Sequence, residues 1–330
     1  MSPAYRIYTP APEVNSRYLH HLLRSRPYLE QYRQLVRGVT TFDRAVTKED
    51  FADLPVLLPP FEEQRRIADF LDAETFRIDH LSTIMEHQDT LLGQLRLNVL
   101  DETWHSASDA CPSSFARLGY LSNLVTSGSR GWGDYASDTG AFFFRSANLH
   151  SDRIQPKLTN LVRVQVPKTA AAEARRSRIE VGDVLIGITG ANAGWVCLAN
   201  DQVAAGHVSQ HVCLIRPDNN RISGEWLALF IASPSTQNKL MGSQYGGTKT
   251  QLSLPDVREI RVPILSLGEQ ERVAEAVTRK IDRIDKQRML RRHQIALLAE
   301  RRQALITAAV TGQFDVSTAS ARNVTDGVST

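Results

Sequence analysis

The sequence predicts an α+β chain: a mixed α/β domain with a twisted, mostly antiparallel sheet, and two long helices that form an antiparallel coiled coil. Three observations carry that prediction. Residues 50–96 recur without a gap 206 positions later, as residues 256–302, and fourteen of the 47 positions are identical, where ordinary residue frequencies give roughly three. Both copies carry apolar residues at alternating spacings of four and three, the pattern of a helix with one sticky face. Between the copies, residues 105–262 break into short apolar runs separated by Gly, Asn and Asp, the texture of strands and turns.

The first element, residues 1–58, parallels the end of the middle domain. Arg17-Tyr18-Leu19 matches Glu225-Trp226-Leu227, Tyr5–Pro10 matches Val212–Pro217, and Gly38-Val39-Thr40 matches Gly246-Gly247-Thr248. The repeating unit is thus a globular domain followed by a long helix, and the chain is expected to open late inside its first unit. Residues 59–104 form the first long helix. Ile67, Leu71, Ile78, Leu81, Met85, Leu92, Leu95 and Val99 mark its seam, with Glu74 and Gln88 at the vacant positions. Pro59-Pro60 blocks helix upstream, and Glu62-Glu63 suits the positive end of the helix dipole. About 60 Å of such a helix needs a partner helix.

Residues 105–262 form the mixed domain, with strands at Ala141–Phe144, Val184–Ile188, Trp195–Leu198 and Val212–Ile215 and a helix at Gly224–Ala232. Residues 263–316 form the second long helix, which retains Val273, Val277, Ile284, Leu298 and Leu305 but has Arg291 and Arg301 where the first copy is apolar. Residues 317–330, rich in Ser, Thr and Ala, read as a disordered tail. The copies have diverged in charge: residues 63–104 carry four Lys/Arg against nine Asp/Glu, residues 269–302 ten against six. Helices of opposite sign suit side-by-side packing. Gln88 and Gln294, retained in both copies at seam positions, read as buried amides that set the coiled-coil register, or else as plain exposed side chains.

Bulk composition excludes more than it names. The net charge of +3 does not by itself announce a polyanion partner. Cys111, Cys197 and Cys213 show no paired spacing, which suits a reducing compartment. No apolar run reaches membrane-spanning length, and the expected setting is cytoplasmic. His207 and His211 stand four apart without a third ligand, so no metal is expected. Gly187–Gly194 precedes a strand where a phosphate-binding loop would need a helix, so it reads as a hairpin turn with Asn192 at its tip. No nucleophile elbow or paired-carboxylate arrangement appears.

Four polar stretches remain as binding candidates. Ser129, Arg130, Trp132 and Tyr135 lie in a glycine-flanked loop that could grip phosphate or guanine, or be a plain surface loop. Thr248, Lys249, Thr250 and Gln251 form a second such loop. Arg145 and Asn148 end an aromatic strand, where they either point to a ligand or cap the strand. Asn192 tips the hairpin.

Taken together these motifs resemble the specificity subunit of type I restriction-modification systems. The residues that carry the resemblance are the repeated helix starts Leu58–Ala68 and Val262–Gln270, the repeated Arg-Ile-Asp, the ending Ala308-Ala309-Val310-Thr311-Gly312, and four stretches of the middle domain: Gly128–Trp132, Phe143–Leu149, Gly182–Ile186 and Gly246–Leu252. The resemblance implies that residues 105–262 are a complete target recognition domain that reads one half of a bipartite site in double-stranded DNA, and that residues 1–58 are the remnant of another. It implies a non-catalytic chain, part of a phage defence system, that docks adenine-N6 methyltransferase subunits and a motor-nuclease subunit. Those partners use S-adenosylmethionine, ATP and Mg2+; no cofactor is expected in this chain. The shortened first domain leaves open an inactive fragment, a recombination partner, or a half-subunit that pairs with a second specificity chain. A coiled-coil scaffold without DNA is the rival reading. A stand-alone methyltransferase is excluded, because no Asp/Asn-Pro-Pro-Tyr/Phe motif is present.

Overall fold

The computed structural model describes residues 8–36, 46–110, 115–242 and 251–316. Cys111, the 317–330 tail, residues 5–7 of the Tyr5–Pro10 stretch, and residues 38–40 and 246–248 lie outside them. In chain order the helices are α1 (Ser16–Leu23), α2 (Arg26–Leu35), α3 (Lys48–Ala52), α4 (Phe61–Ala110), α5 (Ala171–Ser177), α6 (Gly224–Ala232), α7 (Pro234–Gly242), α8 (Leu254–Arg258) and α9 (Leu267–Val310). The strands are β1 (Phe115–Arg117), β2 (Ser122–Ser127), β3 (Ala136–Ser137), β4 (Ala141–Phe144), β5 (Val162–Val164), β6 (Val184–Gly187), β7 (Val196–Leu198), β8 (His207–Val208), β9 (Val212–Pro217) and β10 (Arg261–Pro263). They fall into two compact units, one from Met1–Leu91 and Arg288–Thr330, the other from Leu92–Gln287, so each long helix contributes a part to each.

The α+β class and the two long helices stand as expected. The middle domain differs in having two four-stranded sheets, ordered β2-β9-β6-β7 and β3-β5-β4-β8, and a β1-β10 pair. Pairing is antiparallel except between β4 and β8. The β2-β9-β6-β7 sheet is buried on both faces: Val184, Ile186, Cys213 and Ile215 face α6, while Leu185 and Leu214 pack on the other side with Phe142 and Phe144 of the second sheet. The helix expected at Gly224–Ala232 forms with those bounds, capped by the Ser223 hydroxyl.

The long helices pair antiparallel within each unit. In the first, Asp89 meets Arg288 and Arg292, and Asp79 meets Arg302. In the second, Asp285 meets Arg96 and Glu102 meets Lys280. The acidic helix and the basic helix thus neutralise one another. Burial follows one ladder on α4, through Ala68, Leu71, Thr75, Ile78, Ser82, Met85, Asp89, Leu92, Arg96, Val99 and Thr103. The same ladder, 206 positions on, runs along α9 from Ala274 to Ala309.

That ladder corrects the seam read from apolar spacing. Its alternate rungs lie one residue later, at the polar residues 75, 82, 89 and 96, and of these Asp89 and Arg96 pair across the helices. Leu81 and Leu95 are instead 46% and 47% exposed. Gln88 stands beside the seam, and Gln294 is exposed and accepts from Arg291 Nη1 of its own helix at 3.2 Å, so neither is a buried register amide. The retained glutamines that are buried are Gln64 and Gln270, each 2% exposed. Gln64 Oε1 accepts from Asn15 N, and its Nε2 donates to the carbonyls of Pro59 and Glu13. Gln270 Oε1 accepts from Ser223 N, and its Nε2 donates to Leu265 and Arg221. Each amide ties the start of a long helix to the N-cap of the short helix beside it. α9 ends at Thr311-Gly312, with Gly312 at φ +73°, a left-handed turn that glycine adopts without strain.

Candidate nucleic-acid interface

Strand pairing brings the polar stretches of the middle domain to one end. Ser127 at the end of β2 lies opposite Cys213 of β9, and Gly187 at the end of β6 lies opposite Val212. Phe144 at the end of β4 lies beside Val208 of β8. The segments that follow β2, β4 and β6 therefore emerge with the turn before β9. Gly128 N donates to Ser209 O, and a Cβ at Gly128 would sit 1.8 Å from Val208 O, so only glycine lets the 128–135 loop leave β2 so close to β8.

That loop is anchored from inside. Trp132 is 2% exposed, packs with Phe143 and Val164, and donates from Nε1 to Glu173 Oε2 at 3.2 Å. The Ser129 hydroxyl also bonds Glu173, and the two bonds, Ser129's first, hold the Glu173 carboxyl below its usual range. Ser177, at the end of the same helix α5, meets His207 Nδ1 at 3.2 Å. Burial, then Arg178, lowers the His207 pKa. Trp132 is thus a core residue, not an exposed contact, because its ring fills the space between sheet and α5. Asn148 is also inside: it accepts from Arg145 N and donates to the carbonyls of Lys157 and Thr159. Of its two readings, capping is the one observed.

Other candidates keep accessible surface. Arg130 is exposed and Tyr135 is 37% exposed. Arg145 is half-buried, with Nη2 on Asn160 O. Asn192 lies in the turn between β6 and β7 and donates to Ser146 O, which ties the hairpin to the end of β4. Gln251 is exposed and bridges Thr189 through the backbone. Thr248, Lys249 and Thr250 lie outside the described residues. Arg175 and Arg176 on α5 are also exposed, beside Glu173, and neither they nor Arg130 forms a salt bridge among the described residues. Sequence spacing passed over these two; a basic pair next to the anchoring Glu173 was the available signal.

His207 is buried in β8 and His211 exposed in the turn before β9, and no group of three metal-binding side chains occurs among the described residues. Burial pushes the Cys197 and Cys213 thiols up to about 12, which makes them inert packing groups. No described helix is long and apolar enough to cross a membrane.

Residues 154–291 match the family model of the type I restriction modification DNA specificity domain. The chain carries such a specificity domain. The resemblance to specificity subunits therefore holds. The chain is 22% identical over 302 residues to the type I restriction enzyme EcoBI specificity subunit of Escherichia coli. That alignment covers 83% of this chain and 61% of the relative, so the chain spans about three-fifths of that protein's length. Two solved structures share the fold. One is a chain from a study of assembly and conformational transition in a type I R-M system, with TM-score 0.71, 20% identity, and coverage of 90% of this chain and 71% of that one. The other is the HsdS subunit of Thermoanaerobacter tengcongensis, with TM-score 0.52, 20% identity and coverage of 92% and 71%.

Proposed function

We propose that the specificity domain reads one half of a bipartite site in double-stranded DNA for a type I restriction-modification complex. The observation that supports this most is the convergence of the 128–135, 145–149 and 188–195 segments at one domain end, beside three exposed arginines that have no salt-bridge partner among the described residues. Arg130, Arg175 and Arg176 contact phosphate, which positions the duplex. Tyr135, Arg145, Asn192 and Gln251 face the bases and sugars, and Thr248, Lys249 and Thr250 are further DNA contacts on the same reading. Ser129, Trp132 and Asn148 hold those loops from beneath.

The long helices dock the methyltransferase subunits, and through them the motor-nuclease subunit. The face left open by the shifted seam supports this. Ile84 and Leu91 on α4 and their copies Leu290 and Leu297 on α9 are 41–60% exposed, and a surface repeated on both helices suits two equal partners.

The test is coexpression with the methyltransferase subunit and mapping of N6-methyladenine in host DNA. A bipartite motif should appear, and Arg130→Ala with Arg175→Ala should abolish it. Purified chain should bind duplex DNA with an affinity that falls steeply with salt. Leu91→Glu or Leu297→Glu should each displace a methyltransferase copy and leave DNA binding intact. Salt-independent behaviour with no DNA retained would instead make this a protein scaffold.

A further inference from the structure

At the edge where β6 ends and β9 begins, three accessible side chains form a hydrogen-bonded chain. His211 Nδ1 lies 2.6 Å from Thr189 Oγ1, and His211 Nε2 lies 3.1 Å from the amide nitrogen of Gln210. Thr189 is also bridged to Gln251, so the chain sits among the proposed DNA contacts.

Such an arrangement does little for stability. Ordering exposed side chains costs up to about 2 kcal/mol each in rotamer freedom, and bonds between neutral surface groups return about 1 kcal/mol net. It does impose direction. An amide N–H only donates, so the His211 Nε2 that faces it accepts. In the tautomer that this contact selects, Nδ1 carries the proton and donates it to Thr189 Oγ1. The Thr189 hydroxyl proton is left to point away from the protein. A donor held in one direction by a two-residue backing is what base discrimination requires, whereas phosphate contact needs only charge.

We propose that Thr189, oriented by His211 and Gln210, is a specificity-determining donor to a base-edge acceptor in the major groove. It rests on the reading of this domain as a DNA half-site reader and deepens it. The acceptors available to a single outward hydroxyl are guanine O6 or N7, adenine N7 and thymine O4. Cytosine offers a donor at that edge, which the outward proton does not match. His211 and Gln210 are positioning residues that act through Thr189.

The experiment selects bound duplexes from a randomised pool with the full chain, and compares wild type with Thr189→Val, Thr189→Ser and His211→Ala. Thr189→Val keeps the shape and removes the donor. It should flatten the preference at one base-pair position by about tenfold, the low end of what one good base contact supplies. Thr189→Ser should retain the preference, and His211→Ala should weaken it at that same position. Affinity for non-specific DNA and its salt slope should stay as in wild type for all three, which also reports that the variants are folded. If Thr189→Val does not fold, His211→Ala against Thr189→Ser reads the same position. Unchanged preference at every position in Thr189→Val and His211→Ala overturns the proposal and leaves the half-site reading standing. A wild type with salt-dependent binding but no preference anywhere overturns both.

Discussion

The two copies of the helical module share one clasp and differ in what surrounds it. In one unit α1, α2 and α3 lead into α4; in the other α6, α7 and α8 lead into α9. Asn15 and Ser223 take the same N-cap place, Ser25 and Ser233 both donate to a carbonyl three residues back, and Gln64 and Gln270 make the same three bonds. Around that frame the chemistry has diverged. α6 is buried on nearly every side, from Trp226 to Ile231, because the β2-β9-β6-β7 sheet covers it. On α1 only Tyr18, His21 and Leu22 are buried. Duplication therefore preserved backbone satisfaction, which tolerates no missing partner, and released the apolar and charged positions, whose value depends on what they meet.

The sharpest way to test that lesson uses the reciprocal ion pairs. Arg96–Asp285 and Arg302–Asp79 are one interaction in two copies, since the residues match at a spacing of 206. The Arg96 side chain is 6% exposed, that of Arg302 31%. Arg96→Ala should cost about 3 kcal/mol, because it strands Asp285 against a buried seam. Arg302→Ala should cost under about 1 kcal/mol, as surface pairs do. Urea denaturation of the two variants decides; equal losses would mean that burial does not separate the copies.

Next in size are the clasps. Gln64→Ala and Gln270→Ala should each cost about 2 kcal/mol, since each leaves a backbone N–H and two carbonyls without the amide that served them. The expected result is equality, and amide exchange localises it: faster exchange at α1 for the first, at α6 for the second. Unequal costs would show that the sheet over α6 supports the clasp independently. The caps come third. Asn15 accepts from two backbone N–H groups, Ser223 from one at 3.4 Å. Asn15→Ala should cost about 1 kcal/mol and Ser223→Ala about half that, measured as shifts in Tm.

How far the sequence could reveal this follows from the same division. Identity between the copies marked Gln64, Asp79 and Arg96, yet their roles were hidden. Apolar spacing placed the seam at Leu81, Gln88 and Leu95, because a pattern of apolar residues cannot register rungs occupied by Asp89 and Arg96. Those side chains enter the seam only as halves of pairs with residues 189 to 203 positions away. The helix at Gly224–Ala232 and the strand at Ala141–Phe144 were legible from local composition, since each buries its own apolar run. The binding end was legible in part. Gly128, Arg130 and Asn192 announced themselves by turn chemistry, whereas Trp132 and Asn148 looked like loop contacts until packing showed them inside. Arg175, Arg176 and Thr189 join that surface only through strand pairing and the Glu173 anchor.

The smallest expected effect separates the copies by pH. Asp72, on α4, faces Arg17 and His21 of α1. Its counterpart on α9 is Thr278, which donates to Glu225 of α6 at 3.0 Å. Desolvation pushes the Asp72 pKa up, but the bonds from His21 and Arg17 outweigh it, and the net direction is down. A carboxylate with a lowered folded pKa stabilises above its unfolded value of about 3.9, and that contribution is lost as pH falls through the folded value. The side chain is 43% exposed, so solvent screening keeps the contribution under about 1 kcal/mol. Asp72→Asn should thus lower Tm slightly at pH 6, and the gap to wild type should close below about pH 4. Thr278→Val, which removes an uncharged donor, should lower Tm slightly at pH 6. A gap for Asp72→Asn that persists in acid would assign Asp72 a packing role and return the two copies to equivalence at this position.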